Sequence, residues 1–486
     1  MNAFDYFFEN TNQLEKQFLV GTESISYREL YKSSLCLANG LLDHIGQKQK
    51  VILISANNLF FIKAYLAIIK SGNICIPIDP GIEKENFEYI SGITNPKLIF
   101  ATKDIGRKLP IDSFNCISPE SINSVYTNAP EETENIIIDD RDCAEIIFTS
   151  GSTGKPKGVM LSHKNLIANT SSILSYLNLN KDDRMLVVLP FYYCYGLSLL
   201  HTHLRSGGSI VLNNSFIFLG KVIKDLLDYH CTGFAGVPSH FQILLRKSDS
   251  FKKTPFPALK YVTQAGGGLA ITFIDEFREC FPDVKFYVMY GQTEATARLS
   301  YLSPDLYEEK KGSIGKGIPG VELKVINEQG ENVEPGETGE IIAKGDNIML
   351  GYYPDSKGSK MDIINGWLHS GDLATVDRDG YIYITARKKE IIKVNGKRIS
   401  PKEIESIILE LSEVIHCSIE VAEDEFLGEV IKATIFINKQ QETKVEAEYI
   451  KRHCASRLAL YKVPHIIVIT DQYQVSPSGK KLIQKI

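Results

Sequence analysis

Short apolar runs rich in β-branched residues alternate with stretches whose apolar positions recur at helical spacing through most of the chain. Val51–Ser55, Ile74–Ile78, Lys97–Ala101 and Cys143–Thr149 are predicted as buried strands, with Leu59–Lys70 as a helix between the first two. The rhythm continues with Asn165–Tyr176 (helix), Met185–Leu189 (strand), Ser215–Tyr229 (helix), Tyr261–Gln264 (strand), Ile271–Phe281 (helix) and Lys285–Met289 (strand). Strands and helices in this alternation predict βαβ units and parallel sheets covered on both faces. Past residue 310 the texture changes to short strands punctuated by Gly and Pro, such as Gly339–Lys344 and Tyr381–Ile384, which predicts a β-rich subdomain. A cluster of charge at Ala386-Arg-Lys-Lys-Glu390 marks a second change. Beyond it Pro401–Leu411 and Lys444–Arg457 are predicted as helices, and His416–Val421, Ile431–Asn438 and Ile466–Thr470 as strands. The expected class is α/β, with a large N-terminal body over residues 1–388 and a small α+β unit over residues 389–486.

Composition narrows the possibilities without naming a function. At about 150 residues per domain, 486 residues correspond to roughly three domain equivalents. With 43% hydrophobic and 23% charged residues the chain is ordinary and globular. Lys+Arg 54 against Asp+Glu 59 gives a net charge of −5, which supplies no chain-wide basic field and argues against nucleic acid as a partner. Nine scattered cysteines with no C-x-x-C pair suggest reduced thiols, not a zinc site or a disulfide framework. The opening MNAFDYFFEN lacks the basic start of a signal peptide, and no apolar run reaches the ~18 residues of a membrane span, so a cytoplasmic protein is expected. The charge is uneven: from Lys451 onward, Lys451, Arg452, Arg457, Lys462, Lys480, Lys481 and Lys485 face Asp471 alone. That tail is either a solvated surface or a contact surface for something anionic.

The strongest chemical signal follows the strand Ile146-Ile-Phe148. It is the run Thr149, Ser150, Gly151, Ser152, Thr153, Gly154, Lys155, Pro156, Lys157, Gly158, Val159. Its three glycines allow positive φ, so successive N–H groups form an anion-binding concavity with hydroxyls and Lys155 or Lys157 at its edge. The pattern indicates phosphate chemistry. It is not a Walker loop, because Pro156 stands where that spacing requires Gly.

This run resembles the phosphate loop of the AMP-forming adenylate synthetases, the superfamily of acyl-CoA synthetases, carrier-protein-loading adenylation domains and luciferases. Further similar motifs follow in the family's order: Tyr290-Gly-Gln-Thr-Glu294, His369-Ser-Gly-Asp372, Arg387 followed by Ile391-Ile-Lys-Val-Asn-Gly396 and Pro401-Lys-Glu-Ile-Glu405, and Pro477-Ser-Gly-Lys480. The resemblance spans nearly the whole chain. It implies attack of a small-molecule carboxylic acid on the α-phosphate of ATP, then transfer of the acyl group to a phosphopantetheine thiol of CoA or an acyl carrier protein. Joining two anions and expelling pyrophosphate calls for cations and Mg²⁺. By resemblance Glu294 binds the magnesium, while Thr293 offers its hydroxyl to the α-phosphate and Tyr290 a flat ring to adenine. Asp372, expected in an HSGD turn, accepts from both ribose hydroxyls, with Arg387 beside it. Gly266-Gly267-Gly268 leaves room for backbone to approach a flat ring. The resemblance also implies a mobile C-terminal domain that delivers Lys480 for adenylation and swings about a hinge at Lys389, with Gly396 as a candidate for the thiol channel.

Departures from the family pattern bear on the acid. In Leu189-Pro-Phe-Tyr-Tyr-Cys-Tyr-Gly196, Tyr193 stands where acyl-CoA synthetases commonly carry His. No acid occurs between Pro190 and Arg205 to pair with a substrate ammonium, so an α-amino acid is disfavoured and an uncharged carboxylic acid expected. Tyr192, Tyr193, Cys194 and Tyr195, with Val237 and His240, are the candidates for the acyl pocket, and core packing is the competing reading of each. Two alternatives stay open at this point: an adenylate used with a non-thiol acceptor, and a non-catalytic AMP-binding sensor.

Overall fold

The structure is a computed structural model that describes residues 1–111, 113–122, 137–149, 155–354, 362–424, 427–438, 445–475 and 482–484, with side chains described up to Gln472. Among the described residues two large sheets carry the body. One has seven strands in the order Gly351–Tyr353, Lys157–Ser162, Cys143–Thr149, Ile74–Ile78, Lys50–Ile54, Leu98–Ala101 and Cys116–Ile117. The other has nine, running from Lys316–Gly317 through Ser300–Leu302, Lys285–Tyr290, Tyr261–Gln264, Gly233–Gly236, Arg184–Val187 and Ser209–Leu212 to Gln17–Leu19 and Ile25–Ser26. Their central strands pair in parallel, as the continuous apolar runs predict, because both faces are covered. One apolar core joins strands of both sheets to the helices Ala3–Phe8, Tyr27–Ile45, Leu59–Lys70, His163–Leu177 and Cys194–Ser206. The long helix Tyr27–Ile45 starts at a reciprocal capping box between Ser26 and Glu29.

The sheets are mixed at their edges. Cys143–Thr149 pairs antiparallel with Lys157–Ser162, placing Thr149 opposite Lys157, and Gly351–Tyr353 adds a further antiparallel strand. The Gly-rich run therefore joins the paired ends of a hairpin. The predicted helix Ser215–Tyr229 is shorter, Leu219–Asp228, since the Asn213 side chain accepts from Ser215 N–H and donates to the Asp225 carboxylate, turning the chain before the helix begins. Asp372 lies inside the strand Trp367–Val376 and not in a turn. Leu368, Ser370, Asp372 and Ala374 face inward in strict alternation, and Gly371 at φ +73° accompanies a register shift against the neighbouring strand Gly339–Gly345.

The β-rich subdomain is a five-stranded sheet of Val321–Ile326, Gly339–Gly345, Trp367–Val376, Ile363–Ile364 and Ile382–Arg387. After it comes the hairpin Ile392–Val394/Lys397–Ile399, whose two-residue turn Asn395-Gly396 takes positive φ at both positions. A three-stranded sheet of Val414–Asp424, Gly428–Ile437 and Ile466–Thr470 follows, with helices Pro401–Ile408 and Ala447–Ala455. This last unit rests on the body through the buried pair Ile415 and Ile243, packed by Phe216 and Leu219. Arg246 sits at the same junction: its Nε lies 2.9 Å from Glu276, its guanidinium donates to Ser412 O, and its carbonyl accepts from Asn438. No helix among the described residues is long and apolar enough to cross a membrane, and all nine cysteines are free.

Candidate active site

Parallel strands present their C-terminal ends as a common rim, the usual place for a ligand in such sheets. Lys285–Tyr290 ends on this rim with Tyr290, and a 3-10 turn at Thr293–Ala295 carries Thr293 and Glu294. Gly291 is required for the bend, because a Cβ there would fall 1.9 Å from Ala297 O. The Tyr290 hydroxyl donates to Asp372 Oδ2 at 2.7 Å, a bond that links positions 82 apart in sequence. Burial, and then the Asp372 carboxylate, hold the Tyr290 hydroxyl well above the ordinary tyrosine range, so it stays a donor. Arg387 is paired with Asp372 in the strand ladder, and its Nε lies 3.6 Å from Asp372 Oδ1. Tyr290, Asp372 and Arg387 are thus in one contact chain.

Glu294 has a partner that no motif signalled. Tyr352, on the strand beside Lys157–Ser162, donates its hydroxyl to Glu294 Oε1 at 2.8 Å, and Lys157 Nζ stands 5.1 Å from the centre of the Tyr352 ring. Lys155 Nζ lies 5.2 Å from the Tyr89 ring. The two lysines of the Gly-rich run therefore follow different neighbours, and Lys157 is the one joined to Glu294 through Tyr352. Thr149 ends its strand with Oγ1 3.5 Å from Lys157 O. Ser150, Gly151, Ser152, Thr153, Gly154 and Lys480 lie outside the described residues.

One further carboxylate ties the site to the chain beyond it. Glu340 accepts from Gly371 N–H at 3.1 Å and from Lys388 Nζ at 2.9 Å, and His369 Nδ1 lies 2.9 Å away. Lys388 N–H donates to Gly371 O, and Lys389 follows it on an exposed turn. Gly396 is exposed at φ +78°, with open space where a Cβ would stand. Of the basic tail, Lys462 is held by Glu403 at 2.6 Å and Arg457 by Glu410 at 2.9 Å, so part of its charge is matched within the unit.

The acyl-pocket candidates divide. Cys194 opens the helix Cys194–Ser206 with Sγ 3.5 Å from Thr293 Oγ1. Tyr192 and Tyr193 pack ring to ring at 4.8 Å and face Asp79, which follows the strand Ile74–Ile78. Burial, then Asp79, pushes the Tyr193 hydroxyl up to about 12. The structure thus places an acid beside the run that contains none. Asp79 is already engaged, accepting from Gly81 N–H at 2.7 Å. Val237 and His240 are fully buried at the start of the helix Pro238–Lys247, where the His240 ring packs on Phe216 at 4.1 Å. Gly266 takes φ +85°, and Gly267 approaches Pro238 so closely that a Cβ would lie 3.2 Å from its ring.

The side chains fit ATP and a divalent cation. A single carboxylate fixed by a neighbouring hydroxyl is what Mg²⁺ uses when phosphates and water complete its shell, and among the described residues no cluster of three or more His, Cys, Asp or Glu offers a dedicated cage.

Residues 8–353 match the family model described as AMP-binding enzyme, and residues 403–480 match the one described as AMP-binding enzyme C-terminal domain. The chain is 30% identical to an oxalate–CoA ligase of Arabidopsis thaliana over 95% of its own length and 92% of that protein's. It is similar to the solved O-succinylbenzoate coenzyme A synthetase of Bacillus subtilis in complex with ATP and magnesium ion, at 25% identity and a TM-score of 0.83, covering 99% of this chain and 98% of that one. The fold is also that of an anthranilate CoA ligase solved with anthranoyl-AMP, at 23% identity and a TM-score of 0.89 over 99% of this chain and 95% of that one.

Proposed function

The chain belongs to the AMP-binding enzyme family, and from that premise we propose that it is an ATP-dependent acid–thiol ligase whose residues 1–388 form the ATP and acid site and residues 389–486 a lid. A carboxylate oxygen attacks the α-phosphorus of ATP, the bond to pyrophosphate breaks, and acyl-AMP remains. A CoA thiol then attacks the acyl carbon, AMP leaves with the electron pair, and the thiol proton is released. The observation that carries the reading is the contact chain Tyr290–Asp372–Arg387, three residues from separate segments joined at 2.7 and 3.6 Å where the rim of the nine-stranded sheet meets the β-rich sheet.

Each side chain has a task in that chemistry. The Tyr290 ring lies against adenine while its hydroxyl aims Asp372 at the ribose hydroxyls. Arg387 balances the same carboxylate and reaches the ribose or phosphate. Glu294, oriented by Tyr352, is the ligand for Mg²⁺, which when bound neutralises phosphate charge. Thr293 donates to an α-phosphate oxygen, and Cys194 beside it borders the acid. Thr149, Lys157 and the Gly-rich run receive the β- and γ-phosphates. Lys480 is carried in by the lid, which pivots at Lys389, and Gly396 borders the path of the thiol. Most of the rate comes from positioning and charge neutralisation. The run Pro190–Arg205 carries no acid to meet an ammonium, which supports a carboxylic acid that is not an α-amino acid.

The test is acid-dependent release of pyrophosphate, with hydroxylamine to trap adenylates, followed by mass spectrometry of products formed with CoA. Acyl-hydroxamate and acyl-CoA are the expected products. ATP binding without acid-dependent pyrophosphate release would leave a nucleotide sensor instead.

A further inference from the structure

Arg298 lies four residues beyond Glu294, on the segment that returns from the site to the strand Ser300–Leu302. Its side chain runs inward. It is 2% exposed, and its guanidinium carbon sits 4.0 Å from the centre of the Tyr195 ring. Its other side-chain contacts are uncharged: Nε donates to Met289 Sδ at 3.3 Å, a terminal nitrogen donates to Ala297 O at 3.4 Å, and the Tyr176 hydroxyl is a further hydrogen-bonding neighbour. No carboxylate among the described residues lies within ion-pair distance. A guanidinium is always charged, and a buried one without an anion is among the most unfavourable arrangements a core can hold.

The surroundings place this cation at the acid's end of the site. Tyr195 follows Cys194, whose Sγ touches Thr293 Oγ1, so the cation and the phosphate-side hydroxyl are bracketed by consecutive residues of one helix start. The walls are hydroxylated rings. Tyr176 stacks on Tyr301 at 4.1 Å and donates to Met289 Sδ, and Tyr195 donates to Thr263 O. A buried cation with no carboxylate beside it, set on a wall of hydroxylated rings, forms a receptor for an anion that the protein does not itself supply.

We propose that Arg298 binds a second carboxylate on the substrate, so that this enzyme activates a dicarboxylic acid at the end farther from Arg298. The inference rests on the ligase reading above and replaces the expectation of an otherwise uncharged acid. It also strengthens the exclusion of an α-ammonium, which would meet a fixed cation. The guanidinium fork offers two parallel N–H groups to a planar carboxylate, which gives both attraction and register. One carboxylate is thereby held away from ATP and the other left to attack.

The experiment compares each diacid with its own monomethyl ester, which keeps length and shape and removes one charge. The panel has an aliphatic arm (malonate, succinate, glutarate) and an aromatic arm (phthalate, terephthalate), so the two sources of a second carboxylate are separated. Acid-dependent pyrophosphate release gives kcat/KM, and the shift in thermal melting on adding each acid gives binding without turnover. At least one diacid is expected to exceed its ester by ~10²-fold or more in kcat/KM, as in sites built to pair a polar substrate group. Arg298→Met should reduce that ratio to within ~3-fold through a rise in KM for the diacid, and Arg298→Lys should restore part of it, since an ammonium keeps the charge without the fork. Esters or plain monoacids turned over as well as diacids by the unaltered enzyme would overturn the inference and leave the ligase reading intact. Release of pyrophosphate with no acid of any kind would overturn both. Because the comparison of diacid with ester uses the unaltered protein, it decides the matter even if Arg298→Met fails to fold.

Discussion

Replacing Tyr290 by Phe removes one oxygen and keeps the ring, so it separates the two tasks assigned to this residue. Asp372 is 7% exposed, and the Tyr290 hydroxyl at 2.7 Å is its close donor, while Arg387 stands off at 3.6 Å with half of its side chain in solvent. A hydrogen bond to a charged group contributes about 1.5–3 kcal/mol, which at 25 °C is about a 10- to 150-fold change in an equilibrium. Solvent screening of the Arg387 pair leaves it a poor substitute. The expected outcome is a rise of ~10- to 100-fold in KM for ATP, with a smaller fall in kcat, measured by acid-dependent pyrophosphate release. Discrimination between ATP and 2′-deoxy-ATP should shrink as well, because an unheld Asp372 no longer counts ribose hydroxyls. Tyr290→Ala should be worse, having lost the ring. An unchanged KM together with an unchanged preference for the ribonucleotide would refute the claim that the hydroxyl orients Asp372 for the ribose.

Three more perturbations probe other parts of the structure. Tyr352→Phe frees the Glu294 carboxylate, so the Mg²⁺ concentration for half-maximal activity should rise ~10- to 100-fold, as for other ligands that lose their orienting partner; loss of kcat at unaltered Mg²⁺ dependence would contradict it. Lys480→Ala should lower acyl-adenylate formation by ~10²-fold or more, the effect of removing one transition-state cation, and near-normal ATP–pyrophosphate exchange would remove Lys480 from the mechanism. Burial pushes His163 and His203 down to about 4 and His201 and His240 down to about 3. Their contribution to stability is complete above pH ~6.5 and is lost as pH falls toward those values. Glu145, pushed up to about 7 by burial, opposes them by favouring the fold as pH falls from about 7 to about 4.5. Four histidines outweigh one carboxyl, so urea denaturation at pH 7.5, 6.5 and 5.5 should show stability falling, with proton uptake on unfolding rising from near zero at pH 7.5 to about three at pH 5.5; a flat profile would refute it.

The sequence names the candidate residues more readily than it shows how they meet. Tyr290, Thr293, Glu294, Asp372 and Arg387 stand in short runs that could be read directly, and the strand Tyr261–Gln264 and helix Leu59–Lys70 were legible to the residue because apolar period and turn residues agree there. Asp372 was misplaced in a turn because Ser370 and Gly371 are turn formers, whereas the partner strands override that preference. Tyr352 was invisible: its importance comes from a strand added across the sheet from Lys157–Ser162, a pairing nearly two hundred positions long that no local pattern encodes. Arg298 did leave a trace, as a lone charge between a run of small residues and a strand. Reading it as buried required knowing that Tyr195, a hundred positions earlier, turns its ring toward it. The helices Cys194–Ser206 and Pro238–Lys247 are not legible in the sequence, because their polar and aromatic residues disguise the helical period.

Arg387 and Lys388 grip opposite faces of the same sheet. Arg387 reaches the inward carboxylate of Asp372, and Lys388, on the turn that follows the strand, takes the outward carboxylate of Glu340 while its N–H holds Gly371 O. The stem leading to the last hundred residues is therefore riveted through the sheet from both sides. For the proposed lid this sets a mechanical limit: torque arriving from residues 389–486 cannot be absorbed upstream without breaking two ion pairs and a backbone hydrogen bond together, so rotation is thrown onto the backbone bonds of Lys389 and Glu390. Arg387 would then keep its place while everything beyond it turns, and a nucleotide bound as proposed would be presented in succession to two different faces of the moving part.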